Sequence, residues 1–388
     1  MYEVLTLNKI AKCGLDNLDT NVFTITDEVK NPDAIILRSF KMHDMELGDN
    51  LKCVARAGAG TNNIPIEKCS EKGVVVFNTP GANANAVAEL TIAGLLLASR
   101  KVTDAVEWAK TLKGEGDNVG ALVEKGKSAY AGPEIFGKKL GVVGLGAIGA
   151  KVANIAIALG MEVMGYDPYI SVDAAWGLSS QVKKCNDLKV LVANCDYISM
   201  HMPLNDGTRG IIGEEMFECM EKGTRLLNFS RGELVDAKAL KDAIDKGIIA
   251  SYVVDFPSEE TLGMENVVNI PHLGASTPES EDNCAIMAAK ELSDFIRFGY
   301  IKNSVNFPNV EADMETKFRV TIAHQNIPNM LNTFSSIFAN DNINIVNMIN
   351  KSKKDNAYTI IDVDSVPATL EAELGAVEGV YKVRIIEA

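Results

Sequence analysis

Gly144-Leu-Gly146-Ala-Ile-Gly149 follows the pattern GxGxxG, and its surroundings give it chemical meaning. It comes after the apolar run 140–143, opens a helical stretch at 147–159, and precedes Asp167 at the end of the next apolar run, 161–166. In such a strand–turn–helix the first glycine permits the tight turn and the second lets the backbone approach a pyrophosphate. The helix N-terminus adds free N–H groups and positive potential. Asp167 is placed to hydrogen-bond a ribose diol. A carboxylate there repels a 2′-phosphate, and no arginine follows in Asp167-Pro168-Tyr169, so the pattern predicts NAD rather than NADP.

A nicotinamide enzyme that oxidises an alcohol needs a base for the hydroxyl proton and a cation for an anionic substrate group. The chain has four histidines. His43 lies in a polar segment. His201 ends a predicted strand before Met202-Pro203, where a structural or cofactor-proximal role competes with a catalytic one. His324 lies far from the nucleotide unit. His272 follows the apolar run 267–270 and precedes Leu-Gly-Ala-Ser-Thr, at the carboxyl end of a predicted strand, where α/β sites form. It is the candidate base. Its company is Asn228-Phe229-Ser230-Arg231-Gly-Glu-Leu-Val-Asp and Val254-Asp255-Phe-Pro-Ser-Glu259-Glu260.

These residues need elements to hold them. Short apolar runs at 34–37, 53–55 and 74–77 alternate with polar stretches at 45–50 and 66–72 that read as helical, a βαβ rhythm that predicts a parallel sheet. Residues 86–100 are apolar nearly all round and predict a buried helix, whereas the Gly-, Lys- and Glu-rich residues 113–132 predict an irregular connection. From Lys138 a second doubly wound sheet is expected, with strands at 196–200, 224–229, 251–254 and 267–270 and a helix at 237–246. A helix at 278–297 and a linker at 303–313 follow. Residues 317–388 alternate as a compact βαββαβ module.

The chain of 388 residues carries 38 basic and 52 acidic side chains, a net charge of −14. That balance repels nucleic-acid backbones and leaves no local basic patch to offset it. The first residues lack the basic and apolar regions of a secretory signal, and the longest apolar stretch, 86–99, contains Glu89 and is too short to span a bilayer, so no membrane association is expected. Seven cysteines without a CxxC predict reduced thiols in a cytoplasmic protein and no metal site.

The series GLGAIG, HMPL, NFSRGELVD, VVDF and PHLGAST resembles the D-isomer-specific 2-hydroxy-acid dehydrogenase family from the N-terminus to about residue 300. The resemblance implies that Arg231 binds the substrate carboxylate, that His272 is the general acid/base, and that a glutamate hydrogen-bonds His272 and raises its pKa. Spacing from Arg231 and Asp255 favours Glu260 for that partner and the local Phe-Pro-Ser-Glu order favours Glu259; Glu260 is the expected one. It further implies NAD contacts at Gly144, Gly146, Ala147, Ile148, Gly149, Asp167, Met202, Pro203, Phe229, Ser230, Asp255, Gly274 and Ala275, with Asp255 at the nicotinamide carboxamide. Substrate contacts are implied at Arg38, Ser39, Arg56, Gly58, Ala59, Gly60 and Asn83, where turn N–H groups hold a carboxylate. Two arginines, Arg38 and Arg56, suit a second anionic group such as a phosphate. His324-Gln-Asn326-Ile-Pro, followed by Asp341-Asn-Ile-Asn344, resembles the ACT regulatory domain, which implies a serine effector at His324, Asn326 and Asn344. Asn329 and Asn342 stand where glycines are usual, and asparagine tolerates the left-handed region.

The expected fold is thus α/β: two doubly wound Rossmann-like domains and a C-terminal ferredoxin-like ACT module. Residues 1–85 with 276–305 would bind substrate, 86–275 NAD, and 316–388 an effector. The implied partners are a phosphorylated 2-hydroxy acid and a second copy or three further copies of the chain. A glyoxylate or hydroxypyruvate reductase and an NAD-sensing corepressor-like protein are the competing readings.

Overall fold

The computed structural model describes residues 1–387. The chain divides into two compact units, Asn83–Thr277 and Met1–Ala82 joined with the chain from Pro278 onward.

The first unit is built on β1 (Tyr2–Leu7), β2 (Phe23–Thr26), β3 (Ala34–Leu37), β4 (Cys53–Arg56) and β5 (Val75–Asn78). All pair in parallel in the order β2-β1-β3-β4-β5, a doubly wound sheet whose order reverses between β1 and β3. β3 and β5 are buried along almost their full length, as parallel strands covered on both faces must be. The 45–50 stretch is not helical: Gly48 to Asn50 turn instead of continuing a helix.

The second unit holds β6 (Lys139–Val143), β7 (Glu162–Tyr166), β8 (Lys183–Lys184), β9 (Tyr197–Met200), β10 (Thr224–Asn228), β11 (Ile249–Val254) and β12 (Val267–Asn269). They run parallel in the order β12-β11-β10-β9-β6-β7-β8, the Rossmann arrangement extended by a strand. Helix Ala84–Ser99 packs on this sheet, and Gly94 lets it approach closely: a Cβ there would lie 2.6 Å from the Phe229 ring. The 113–132 segment is more regular than its composition suggests. Helix Val119–Gly126 lies within it, and the Trp108 ring packs on Tyr130 at 5.3 Å, an aromatic contact between residues too far apart for local propensity to register.

In the C-terminal part, β13 (Phe318–Gln325), β14 (Ile345–Lys353), β15 (Asn356–Val363) and β16 (Val380–Glu387) form an antiparallel sheet in the order β14-β15-β13-β16. With helices Met330–Asn340 and Leu370–Gly375 this is the βαββαβ ferredoxin-like topology. Asn329 and Asn342 both adopt the left-handed region, φ 73° and 56°. The sheet does not stand apart from the first. Ala323, Tyr358 and Ile360 share a core with Phe295 and Ala289 of helix Pro278–Phe298. Arg319 is fully buried; its Nε and Nη2 meet the Asp362 carboxylate at 2.6 and 2.9 Å, and its other donors reach the carbonyls of Phe298, Ala312 and Asp313. The expected 303–313 linker is therefore packed structure: Phe307 and Val310 are fully buried and Ile301 bridges Val310.

Candidate active site

In the second unit the predicted site residues all follow carboxyl ends of strands. Gly144 follows β6, Asp167 follows β7, His201 follows β9, Arg231 and Asp255 lie just past β10 and β11, and His272 follows β12. A doubly wound sheet forms its ligand crevice at that edge.

The glycine turn is specified atom by atom. Gly144 has φ +91°, and a Cβ on it would lie 2.6 Å from the His201 carbonyl oxygen. A Cβ on Gly149 would lie 1.9 Å from the Gly144 carbonyl oxygen, so the helix packs directly on the turn. Gly146, by contrast, faces open space. It caps helix Ala147–Ala158 without any side-chain acceptor, and the first N–H groups remain free. One Asp167 oxygen accepts the Leu145 N–H and the other the Tyr169 N–H, both at 2.8 Å, which fixes the carboxylate beside the turn.

Asp255 is buried, and its Oδ1 has no partner among the described residues. Burial pushes its pKa up to about 6 against the pull of Arg231 and a bond from the Gly274 N–H. An orphaned buried acceptor is costly, and the amide NH₂ of a nicotinamide carboxamide would satisfy it. Together with the open cradle at Gly146, this fits a dinucleotide. His201 is a different matter. Its Nε2 meets the Ser199 hydroxyl at 2.8 Å, and burial drives its pKa down to about 3, so it stays neutral beneath the turn.

Arg231, Phe256 and His272 form one cluster. The Arg231 guanidinium lies 5.5 Å from the Phe256 ring centre, and the His272 ring packs on the same phenyl at 4.4 Å. Arg231 has no carboxylate within ion-pair distance among the described residues, so its charge is available to a ligand. Partial burial, and then Arg231, hold His272 below its ordinary pKa. The loop carrying Arg231 is held by Asn228, which accepts the Ser230 N–H and donates to the Arg231 carbonyl and the Tyr252 hydroxyl. Ser230 adds a 2.7 Å bond to the Met200 carbonyl. In the sequence Asn228 and Phe256 stand only as neighbours of the site residues; their roles depend on contacts that the local order of residues does not express.

The glutamate expectation is corrected. Neither Glu259 nor Glu260 reaches His272. Both lie exposed on the short helix Glu259–Leu262, whose capping box with Ser258 and Thr261 turns it away, and the Ser258 hydroxyl holds the Glu260 carboxyl below its usual range. The Phe256 ring occupies the flank of His272 instead.

In the first unit, Arg38 pairs with Glu281 at 2.6 Å, so its charge is already matched. The turn N–H groups expected to hold a carboxylate at 38–40 are also spent. The Asn8 Oδ1 accepts all three, from Arg38, Ser39 and Phe40, at 3.3, 3.0 and 2.7 Å. Asn8 follows β1 with φ +75°, and so plugs the switch point of that sheet with its own amide. Free donors remain nearby. Among the described residues Arg56 spends only its Nε, on the Arg38 carbonyl, and has no acidic partner. Gly58 donates to the Thr79 hydroxyl, while the N–H groups of Ala59 and Gly60 have no acceptor among the described residues. The Asn78 amide holds the Ala59 carbonyl at 2.6 Å. In the second unit, Asn83 caps helix Ala84–Ser99 through its backbone, and its side chain makes no capping bond.

The residues expected to hold an effector lie on and beside the C-terminal antiparallel sheet. His324 is buried, with Nδ1 on the Gln325 carbonyl and Nε2 on the Thr359 hydroxyl, both at 2.8 Å, and burial lowers its pKa. Neither nitrogen is left for a ligand. Asn326 donates to the Lys354 carbonyl, and the Asn344 side chain is exposed. No helix of the described residues is long and apolar enough to cross a membrane, and no metal-ligating cluster is found among them.

Residues 92–274 match the NAD-binding domain of D-isomer specific 2-hydroxyacid dehydrogenase. The chain is 30% identical over 394 residues to the D-3-phosphoglycerate dehydrogenase of Escherichia coli K12, covering 96% of this chain and 92% of that one. It is 35% identical over 304 residues to the enzyme of that name from Methanocaldococcus jannaschii, covering 76% of this chain. The chain spans only 56% of the length of that archaeal relative. Among solved structures, NAD⁺-bound 3-phosphoglycerate dehydrogenase from Entamoeba histolytica superposes with a TM-score of 0.61 at 27% identity, covering 79% of this chain and 98% of that one. The chain belongs to the D-isomer specific 2-hydroxyacid dehydrogenase family, and its second unit is an NAD-binding domain.

Proposed function

We propose that the protein oxidises 3-phospho-D-glycerate to 3-phosphohydroxypyruvate with NAD, the first step of L-serine synthesis. The observation that carries the reading is the Arg231–Phe256–His272 cluster: an unpaired cation and a histidine held neutral, on the carboxyl edge of an NAD-binding sheet. The relatives named above support the choice of substrate.

In this reading bound NAD supplies the acceptor for the hydride leaving C2. His272 takes the hydroxyl proton at a ring nitrogen. A base must be unprotonated to act, and the burial and neighbouring charge that lower its pKa keep it so at neutral pH. Arg231 binds the substrate carboxylate through its fork of donors and draws charge toward that end as the carbonyl forms. Asp255 would hold the nicotinamide carboxamide, Asp167 the ribose diol, and the Gly144–Gly149 turn the pyrophosphate. Arg56, with the Ala59 and Gly60 N–H groups, would take the remaining substrate anion, and Arg38 is withdrawn from that role by Glu281. The unpaired cysteines among the described residues support a reducing compartment, the cytoplasm.

The test is NADH oxidation by the purified full chain with 3-phosphohydroxypyruvate, hydroxypyruvate and glyoxylate. The expected result is a kcat/KM at least tenfold higher on the phosphorylated keto acid. Equal efficiency on hydroxypyruvate would reject the substrate, and no turnover on any of the three would reject the enzyme.

A further inference from the structure

The first unit contains a groove of about 790 Å³ that no step above uses. The end of β5 contributes Asn78, the packed connection after helix Pro278–Phe298 contributes Asn303 and Ser304, and the last residues of β14 contribute Asn350, Lys351 and Lys353. No carboxylate lines it, in a chain whose net charge is −14. Lys351 has no carboxylate partner among the described residues, and Lys353 reaches only the Ser304 carbonyl, at 2.7 Å. Burial, and then Lys354, hold the Lys353 ammonium below its usual range, and a bound anion would offset both.

The lining residues also bind outward. The amide of Asn78 holds the Ala59 carbonyl at 2.6 Å, in the loop whose Ala59 and Gly60 N–H groups have no acceptor among the described residues. Asn303, at φ +57°, donates to the buried Glu291 carboxyl at 2.7 Å, and the second Glu291 oxygen has no partner among the described residues. Asn350 accepts from the Thr359 hydroxyl, which itself meets His324. The groove therefore lies between the C-terminal sheet and the 56–60 loop, and Asn78 is the lining side chain that reaches that loop. Amides that give and accept, hydroxyls and two ammonium groups suit a small ligand carrying both hydroxyls and an anion.

We propose that this groove binds a small phosphate ester of a polyol and regulates the 56–60 loop through Asn78. Occupation draws the Asn78 amide toward the ligand and away from the Ala59 carbonyl, which loosens the loop. The regulatory half rests on the reading of 56–60 as a substrate loop; the binding half does not.

The test uses the full chain and glycerol 2-phosphate. Calorimetry is expected to show saturable binding that weakens at least tenfold in Lys351→Glu and persists in Arg56→Gln. Saturating probe is expected to raise the KM for 3-phosphohydroxypyruvate about threefold, and Lys351→Glu to lose that response while keeping the unliganded KM. No binding, or equal binding in Lys351→Glu, overturns the site. Loss of binding in Arg56→Gln overturns it too, because the probe then occupies the substrate loop. Binding with an unchanged KM overturns the regulation. If the chain fails to turn over 3-phosphohydroxypyruvate the functional reading falls, and calorimetry still decides the groove.

Discussion

Gly58 makes room for Arg56: a Cβ on Gly58 would lie 1.8 Å from the Arg56 Nη1. Gly58 also has φ +141°, outside the range an L side chain adopts easily. Gly58→Ala is therefore expected to swing the guanidinium away from the Ala59 and Gly60 N–H groups. The KM for the phosphorylated substrate should rise roughly tenfold, equivalent to about 1.4 kcal/mol, with kcat reduced much less. Steady-state kinetics on 3-phosphohydroxypyruvate check it. A fall confined to kcat would move the loop from substrate binding to catalysis.

The two later glycines of the turn separate folding from binding. At Gly149 an added Cβ meets the Gly144 backbone at 1.9 Å, so Gly149→Ala is expected to destabilise the unit and lose NADH affinity together. At Gly146 the space is open. Gly146→Ala should melt within a few degrees of wild type yet bind NADH at least tenfold more weakly, because its methyl group enters the space of the pyrophosphate. Thermal melts and NADH fluorescence titration read the two apart. Unchanged NADH affinity in Gly146→Ala would place the dinucleotide elsewhere.

Much of this site was legible because its signals are local in the chain. The glycine spacing, the acid after the next strand and the histidine after an apolar run each occupy a few consecutive residues, and the β3 strand could be read directly from Ala34 to Leu37. What was not legible depends on long-range choice of partner. Nothing near Asn8 announces that its amide will take the N–H groups of Arg38, Ser39 and Phe40, and nothing near Arg38 announces Glu281. The pairing of Glu260 with His272 failed for the same reason in reverse: a capping box from Ser258 to Thr261 decided where the helix points. The strands β1 and β2 were missed because they are only partly buried and lack a clear apolar run.

The His272 environment sets a pH dependence. Its pKa lies below the ordinary value through burial and the Arg231 charge, so the neutral base, and with it kcat/KM for oxidation, should be established at a lower pH than for a solvated histidine. Removing the charge with Arg231→Gln is expected to shift that limb to higher pH while raising the KM. Glu260→Gln is expected to leave the limb in place, since Glu260 bonds Ser258 rather than the imidazole. A limb that drops by about a unit in Glu260→Gln would restore the carboxylate–histidine pair.

Asp255 carries a cost that NAD should relieve. Its folded pKa is raised from 3.8 to about 6 by burial, so the folded state binds more protons than the unfolded one between those values. Stability from this group is therefore present at low pH and lost as pH rises toward 6 and beyond. Replacing the buried carboxylate by a neutral amide removes that loss. Asp255→Asn is expected to stabilise the protein without cofactor by up to about 3 kcal/mol at pH 8, an upper figure from the size of the shift, and to change it little at pH 4. It should also bind NADH at least tenfold more weakly, because an amide offers the carboxamide a poorer acceptor than a carboxylate. Chemical denaturation at the two pH values and an NADH titration measure both effects. A variant less stable than wild type at pH 8 would show that the Asp255 charge is compensated in the folded protein, and that the orphaned oxygen does not await the cofactor.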